Sequence, residues 1–408
     1  MNLLNVNFRS FWVLLHRWFG LFMAVFLVIS GLTGAVISWD HELDEWLNPH
    51  LFKAASNGQA KTPLELANEL EKKDPRLLVS FMPLHIEEGH SFGASVDTRI
   101  DPATGKAYKI DFNQVAIDPA SGEIQGKREW GALSLSSENL LPFLYKLHYS
   151  MHIPNGWGIE LGVLFMGIVG IVWVFDSLIA LWISFPNLNA WCKSFAFRWK
   201  RGGYPLNFDL HRSGGVWVWL LLLTLAITSV SMNLGFQVVR PIVSVFSTLT
   251  PSPFALRTPK PEDEPIIPKI SREEVINTAK AEAQKRGWQD PAGAVFYSPE
   301  FGVYGVGFFK PENDHGDGGL GNPWLYFDGQ DGKPAGDSVP GTGSAGDIFM
   351  QAQFPLHSGR IIGLPGRIMV SIMGLVVAML SITGLVIWAK KRKARQVKAT
   401  QTSKVFAM

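Results

Sequence analysis

Four apolar runs, 11–39, 159–185, 216–236 and 361–388, constrain this chain more than anything else in it. About 20 apolar residues cross the ~30 Å hydrocarbon core of a bilayer, and each run reaches that length. Inside lipid an isolated span must satisfy its own backbone hydrogen bonds, which leaves the helix. The fold class expected is a membrane protein with a four-helix transmembrane bundle, the longer helices tilted or protruding. Of 408 residues only 18% are charged, below the share of ordinary soluble domains. The first run imitates a signal peptide, because Arg9 and Arg17 resemble a basic leader. Its apolar stretch is too long for one, and no small-x-small pattern precedes Asp40 and His41, so it reads as an uncleaved anchor.

Basic residues set the expected orientation. Arg9 and Arg17 belong to the N-terminal arm. Lys193, Arg198, Lys200, Arg201 and Arg212 lie between the second and third runs, and Lys390, Lys391, Arg392, Lys393, Arg395 and Lys398 follow the fourth. These segments fall on one side, expected to be cytoplasmic and to hold both termini. The two long connections are net acidic and expected outside. The predicted division is an arm and first helix (1–39), a first outside module (40–147), a second helix (148–185), a cytoplasmic connection (186–210), a third helix (211–236), a second outside module (237–356), a fourth helix (357–389) and a basic tail (390–408). A single cysteine, Cys192, allows no internal disulfide and no cysteine-held metal cluster, and the absence of C-x-x-C-H excludes covalently attached c-type haem. Nothing in the chain points to nucleic acid.

Each run has a histidine near its entrance: His16, His148 (with His152 four residues on), His211 and His357. Ionisable groups near apolar spans are costly and usually functional. An internal repeat relates these four. His16-Arg17-x-x-Gly20 matches His211-Arg212-x-x-Gly215, and Thr33-Gly34 and Thr228-Ser229 follow at equal spacing. Leu147-His148 matches Leu356-His357, followed by Met166-Gly167 and Met373-Gly374. Repeats of like orientation are related by an axis along the membrane normal. His16 and His211 then share one depth, and His148 and His357 another. Two imidazoles facing each other in a dry bundle suit haem iron held from both sides. A histidine at an interface is also a common polar end-group, and the repeat is what favours the ligand reading. Gly20, Gly31, Gly34, Gly214, Gly215, Gly366 and Gly374 either make room for a flat macrocycle or pack helices closely.

Three residues leave alternatives open. His148 and His152, four apart on one helix face, would suit zinc, although no H-E-x-x-H motif accompanies them. His152 is otherwise a supporting group or an alternative axial ligand. Where the first and fourth runs carry Thr33-Gly34 and Thr383-Gly384, the second carries Asp176-Ser177. Asp176 either sits near the interface or bonds a neighbouring helix, or it handles protons or contacts a quinone.

Each outside segment reads as a small α+β module. In the first, a helix over 63–73 precedes strands at 77–82, 90–97 and 107–112, then a strand–turn–strand over 114–124 with Asp118-Pro119 and Ser121-Gly122 at the turn. In the second, a Pro-rich linker leads to a capping-box start, Ser271 to Glu274, and a helix to about 285. Strands follow at 294–297, 303–309 and 324–327, with a turn at Asp328-Gly329-Gln330-Asp331-Gly332. The His85–His90 loop and the Asp314–Gly319 loop resemble fragments of metal sites, and an exposed loop or mobile linker explains either one.

Taken in order, His16-Arg17-x-x-Gly20, Thr33-Gly34, Asp44-x-x-Leu47-Asn48-Pro49, Leu147-His148, Asp209-Leu210-His211-Arg212, Leu356-His357-Ser358-Gly359 and Thr383-Gly384-Leu385-x-x-Trp388 resemble the PepSY-associated transmembrane family, which includes FoxB-type ferric-siderophore reductases of bacterial inner membranes. The resemblance implies PepSY-like periplasmic modules, haem b on transmembrane histidines and a role in iron acquisition. By position, His16 and His211 would serve a cytoplasmic-side haem and His148 and His357 a periplasmic-side one, two haems in all. The expected function is an oxidoreductase that carries electrons across the membrane to a ferric siderophore in the periplasm. Trp12, Trp18, Trp173, Trp217 and Trp219 would line the route or anchor the helices at the interface. No G-x-G-x-x-G follows a strand, so the donor is a separate cytoplasmic reductase or the quinone pool. The rival readings are a non-enzymatic periplasmic binding or regulatory membrane protein, which needs no haem, and a haem-handling or haem-sensing protein, in which haem is cargo.

Overall fold

The computed structural model describes residues 8–311 and 313–406. The first seven residues of the predicted arm and the last two of the tail lie outside the described residues. In chain order, α1 (Phe8–Ile37) is followed by α2 (Asp40–Leu47), the single turn α3 (Pro49–Phe52) and α4 (Pro63–Lys73). Strands β1 (Leu77–Pro83), β2 (Phe92–Thr98), β3 (Gln114–Ile117) and β4 (Ile124–Arg128) come next. Helix α5 (Ser137–Ser150) leads to α6 (Leu161–Ser184). Then α7 (Trp191–Ser194) and α8 (Gly203–Trp217) lead to α9 (Trp219–Leu234) and α10 (Arg240–Phe246). The chain continues with α11 (Arg272–Lys285), β5 (Ala292–Ser298), β6 (Val303–Phe308), β7 (Trp324–Asp328), β8 (Pro334–Ser338), α12 (Ala345–Ser358) and α13 (Leu364–Phe406).

Four segments are long and apolar enough to cross a membrane: Phe8–Ile37, Leu161–Ser184, Trp219–Phe246 and Leu364–Gln401. They pack around Met23, Leu27, Met166, Val169, Leu222, Met373 and Val377. The closest crossing joins α1 to α13. A Cβ at Gly31 would stand 2.5 Å from the Gly374 carbonyl oxygen, and one at Gly374 would stand 2.4 Å from that of Gly31. These two glycines therefore serve backbone approach between helices. The expected second, third and fourth spans each resolve into two helices, the third at Val218, so that His211 lies on α8 ahead of the span that begins at Trp219. Helix α5 ends at Met151 (φ +53°) and α12 at Gly359 (φ +76°), left-handed conformations that stop a helix. His148 and His357 thus end the helices that precede α6 and α13 instead of opening the spans.

The two long connections form one eight-stranded antiparallel sheet, in the order β4-β3-β2-β1-β5-β6-β7-β8. The join is β1 against β5, with Phe81 opposite Phe296 and Met82 opposite Val295. An unpaired edge strand exposes a row of N–H and C=O groups, and joining the first strand of each segment removes two such edges. Leu66, Ala67 and Leu70 of α4 and Val275, Ile276 and Ala279 of α11 share a single core with the strands. Thr62 and Glu65 form a full capping box at α4, and the Ser271 hydroxyl accepts from the Glu274 amide at α11, the latter as its sequence led one to expect. The stretch 107–112 is not a strand; only Ala107 makes an isolated bridge, to Ile100. Both sides of β2 are already taken, by β1 and β3. Strand β8 was not foreseen, because Pro334-Ala-Gly-Asp-Ser338 has no apolar alternation and is tolerated only at an edge.

Glu71 ties the two halves of this domain together. It accepts from Arg272 (2.7 Å), Arg99 (3.0 Å) and the Val79 amide (2.8 Å), and Arg272 is buried. Glu71→Ala should cost about 3–5 kcal/mol by stranding that guanidinium, and Glu71→Leu with Arg272→Met should recover much of the loss in thermal unfolding. Asp118, at the β3–β4 turn, is disfavoured as an anion by burial. Hydrogen bonds from the hydroxyls and amides of Ser121 and Ser56 outweigh this and hold its carboxyl below the usual range. Its contribution is complete above the unfolded carboxyl value of about 4 and is lost as pH falls toward its folded value. Asp118→Asn should flatten that acid limb in a pH series of melting temperatures.

Candidate functional site

Four imidazoles form two opposed pairs in the bundle. The rings of His16 (α1) and His211 (α8) lie 6.1 Å apart, centre to centre, and those of His148 (α5) and His357 (α12) also lie 6.1 Å apart. The first pair is toward the end of the bundle that carries the α13 tail, the second toward the sheet. Along α1, residue 16 belongs to one pair and residues 30–33 contact the other, so the pairs are separated by roughly 20–25 Å at 1.5 Å per residue.

In every ring Nδ1 is committed to another helix. His211 Nδ1 donates to the Leu380 carbonyl (2.9 Å), with the Thr383 hydroxyl at 3.3 Å. His148 Nδ1 donates to the Ser30 carbonyl (2.9 Å), with the Thr33 hydroxyl at 3.2 Å. His357 Nδ1 meets the Thr228 hydroxyl at 3.0 Å. That hydroxyl gives its own proton to the Thr224 carbonyl (2.9 Å), so it accepts from the imidazole. His16 Nδ1 donates to the Asp176 carboxylate at 2.8 Å. With the proton on Nδ1, Nε2 carries a lone pair, and among the described residues no hydrogen bond occupies Nε2 in any of the four rings.

This is the arrangement expected of axial metal ligands. Metal-bound histidines donate their second N–H to a carbonyl or carboxylate, which sets both tautomer and ring direction. With the metal about 2 Å from each nitrogen, two opposed imidazoles place their ring centres roughly 6 Å apart, and both pairs match. The small residues beside the threonines have a defined role. A Cβ at Gly34 would stand 2.8 Å from His148 Cε1, and one at Gly384 would stand 3.0 Å from His211 Cε1. Gly20 and Gly215, one turn beyond His16 and His211 on the same helix faces, have open surroundings. A Cβ at Gly20 would meet nothing within 4 Å, and one at Gly215 only a Leu380 methyl at 3.8 Å. The residues present fit a haem at each pair.

The other candidates lie elsewhere. His152 joins neither pair: its Nε2 donates to the Phe143 carbonyl at 2.9 Å, and its ring stacks on Phe143. Because α5 ends at Ser150 and His152 has φ +53°, His148 and His152 do not share a helix face, which removes the geometry the zinc reading required. His90 faces Glu45 and Glu87, and the 313–322 loop rests on Arg360 through Asp317 (2.8 Å) and the Gly318 amide. Among the described residues no three His, Cys, Asp or Glu side chains converge as metal ligands. Trp219 donates to the Ser177 carbonyl and Trp217 to that of Phe195. The carbonyls of Ser30 and Leu380 were not foreseen as partners, since backbone acceptors leave no mark on residue type.

Three further contacts hold the elements that carry the rings. Arg198 clamps the buried Asp209, two residues before His211, at 2.7 Å. Arg128 of β4 reaches Asp44 at 2.6 Å, while Asn48 bridges Asp44 to the Ser137 carbonyl at the start of α5. Arg367, near the start of α13, binds Glu42 and the Ser38 carbonyl. Asp44, Asn48 and Asp209 thus serve as braces around the site.

A family model described as the PepSY-associated TM region matches residues 13–391. The chain belongs to the PepSY-associated transmembrane family. No curated protein matches it. In this member of the family the match reaches into all four spans and takes in the sheet and all four paired histidines.

Gly34→Ala and Gly384→Ala should each displace an imidazole and cost about 1–3 kcal/mol through overpacking. Thermal unfolding in detergent reads this directly; unchanged melting would show that the rings are not tightly seated.

Proposed function

We propose that this protein is a bacterial inner-membrane electron-transfer protein that holds two b-type haems, one at each histidine pair, and reduces ferric-siderophore iron on the sheet side. The observation that carries the reading is the pair of opposed imidazole pairs, anchored at Nδ1 and free at Nε2, at two depths of one bundle. Haem iron, when bound, supplies a one-electron Fe(III)/Fe(II) couple. His16 with His211 would hold one haem, and His148 with His357 the other.

Between the pairs Met23, Leu27, Val169, Leu222, Met373 and Val377 pack as a buried apolar cluster. The basic residues at the tail end, Lys390 to Lys393 and Arg395 among them, support a reading with that end in the cytoplasm and the sheet in the periplasm. A reduced quinone or a soluble reductase gives up one electron for each Fe(III) reduced. Siderophores hold Fe(III) as a hard cation through oxygen; one electron converts it to Fe(II), weakens that hold and spares the chelator.

Purified protein should carry two haems b per chain, be reduced by dithionite and be reoxidised by a ferric siderophore. His16→Ala and His211→Ala should remove or alter one haem signal, and His148→Ala and His357→Ala the other. A protein that stays colourless after haem supplementation sinks the proposal, and haem that exchanges freely at less than one per chain makes it cargo.

A further inference from the structure

The two pairs are built alike except at one position. Thr33, Thr228 and Thr383 stand beside His148, His357 and His211, and the residue in that place beside His16 is Asp176. Its carboxylate accepts a hydrogen bond from the His16 Nδ1–H at 2.8 Å, and the residue is buried, at 6% exposure. Among the described residues Asp176 has no cationic partner other than His16. The other three imidazoles give Nδ1–H to a neutral carbonyl or hydroxyl oxygen.

We infer that Asp176 is a positioning residue that sets the tail-side haem at a lower reduction potential than the sheet-side haem, so that electron flow toward the sheet is downhill. This rests on the two-haem reading above. A carboxylate pulls the Nδ1 proton harder than a neutral acceptor does and makes Nε2 a more basic ligand. A more basic axial ligand, with a buried negative charge behind it, favours Fe(III) over Fe(II). The sheet-side pair, held only by the Ser30 carbonyl and the threonine hydroxyls, has no such charge. The chain thus encodes direction in one side chain. Asp176 also needs no proton pathway for this role, because it acts as a fixed charge behind its ligand.

The test is potentiometric titration of the haem-loaded protein, followed by visible spectra, with His357→Ala used to assign the tail-side signal. Wild type should show two midpoints with the tail-side haem the lower. Asp176→Asn and Asp176→Thr should raise that midpoint by the equivalent of a tenfold or greater loss of Fe(III) preference, about 59 mV per tenfold for a one-electron couple, and leave the sheet-side midpoint in place. Asp176→Glu should restore the low value. Coincident wild-type midpoints, a higher tail-side midpoint, or two loaded haems with unmoved midpoints in Asp176→Asn and Asp176→Thr would overturn the inference. Wild-type protein without haem would instead overturn the proposed function itself.

Discussion

The site depends on one kind of interaction, the hydrogen bond from each imidazole Nδ1 to a helix other than its own. It decides the tautomer, because a neutral ring has a single proton to give. It decides direction, because a ring pinned at Nδ1 has its Nε2 turned to the far side. It also couples the site to the bundle: α1 receives His148, α6 receives His16, α9 receives His357 and α13 receives His211. No ring can turn without breaking an interhelical contact, and no helix can shift along its neighbour without misaligning a ring.

The sheet domain matters to this arrangement because the sheet-side histidines do not ride on membrane spans. They sit at the ends of α5 and α12, which descend from the sheet. Fusing two four-strand units through β1 and β5 gives those helices a common base, and Asp44, Asn48 and Arg128 tie α5 to it. A disturbance in the sheet domain is therefore expected to reach His148 and His357 before it reaches His16 and His211. The tail-side pair has its own brace in the Arg198–Asp209 ion pair.

Much of this was legible in the residues. Length and hydropathy of the four runs gave the spans, and matched spacing gave the histidine pairs their partners. The Thr-Gly motifs were visible too, yet their purpose was not: nothing in Thr33-Gly34 says that its partner is His148, which lies 115 residues away. Asp176 looked anomalous for the same reason. Once His16 is set beside it, the anomaly becomes the fourth member of a set of Nδ1 acceptors. His152 shows the converse, a residue at ligand-like spacing that a left-handed turn removes from the helix face.

By itself the sequence determined what is local or periodic: apolar length, helix caps, the Asp118 and Asp328 turns, the side to which positive charge is assigned, and the recurrence of His with Gly and Thr. These follow from desolvation, backbone geometry and side-chain chemistry within a few residues. Only the tertiary structure decided that the two long connections share one sheet, that α5 and α12 stand apart from the spans, that His152 is out of the site, and that Asp176 faces His16. Those outcomes turn on which strand edges are free, where a helix stops and which helix lies behind each ring. They are relations between surfaces far apart in the chain, and residue order does not carry them.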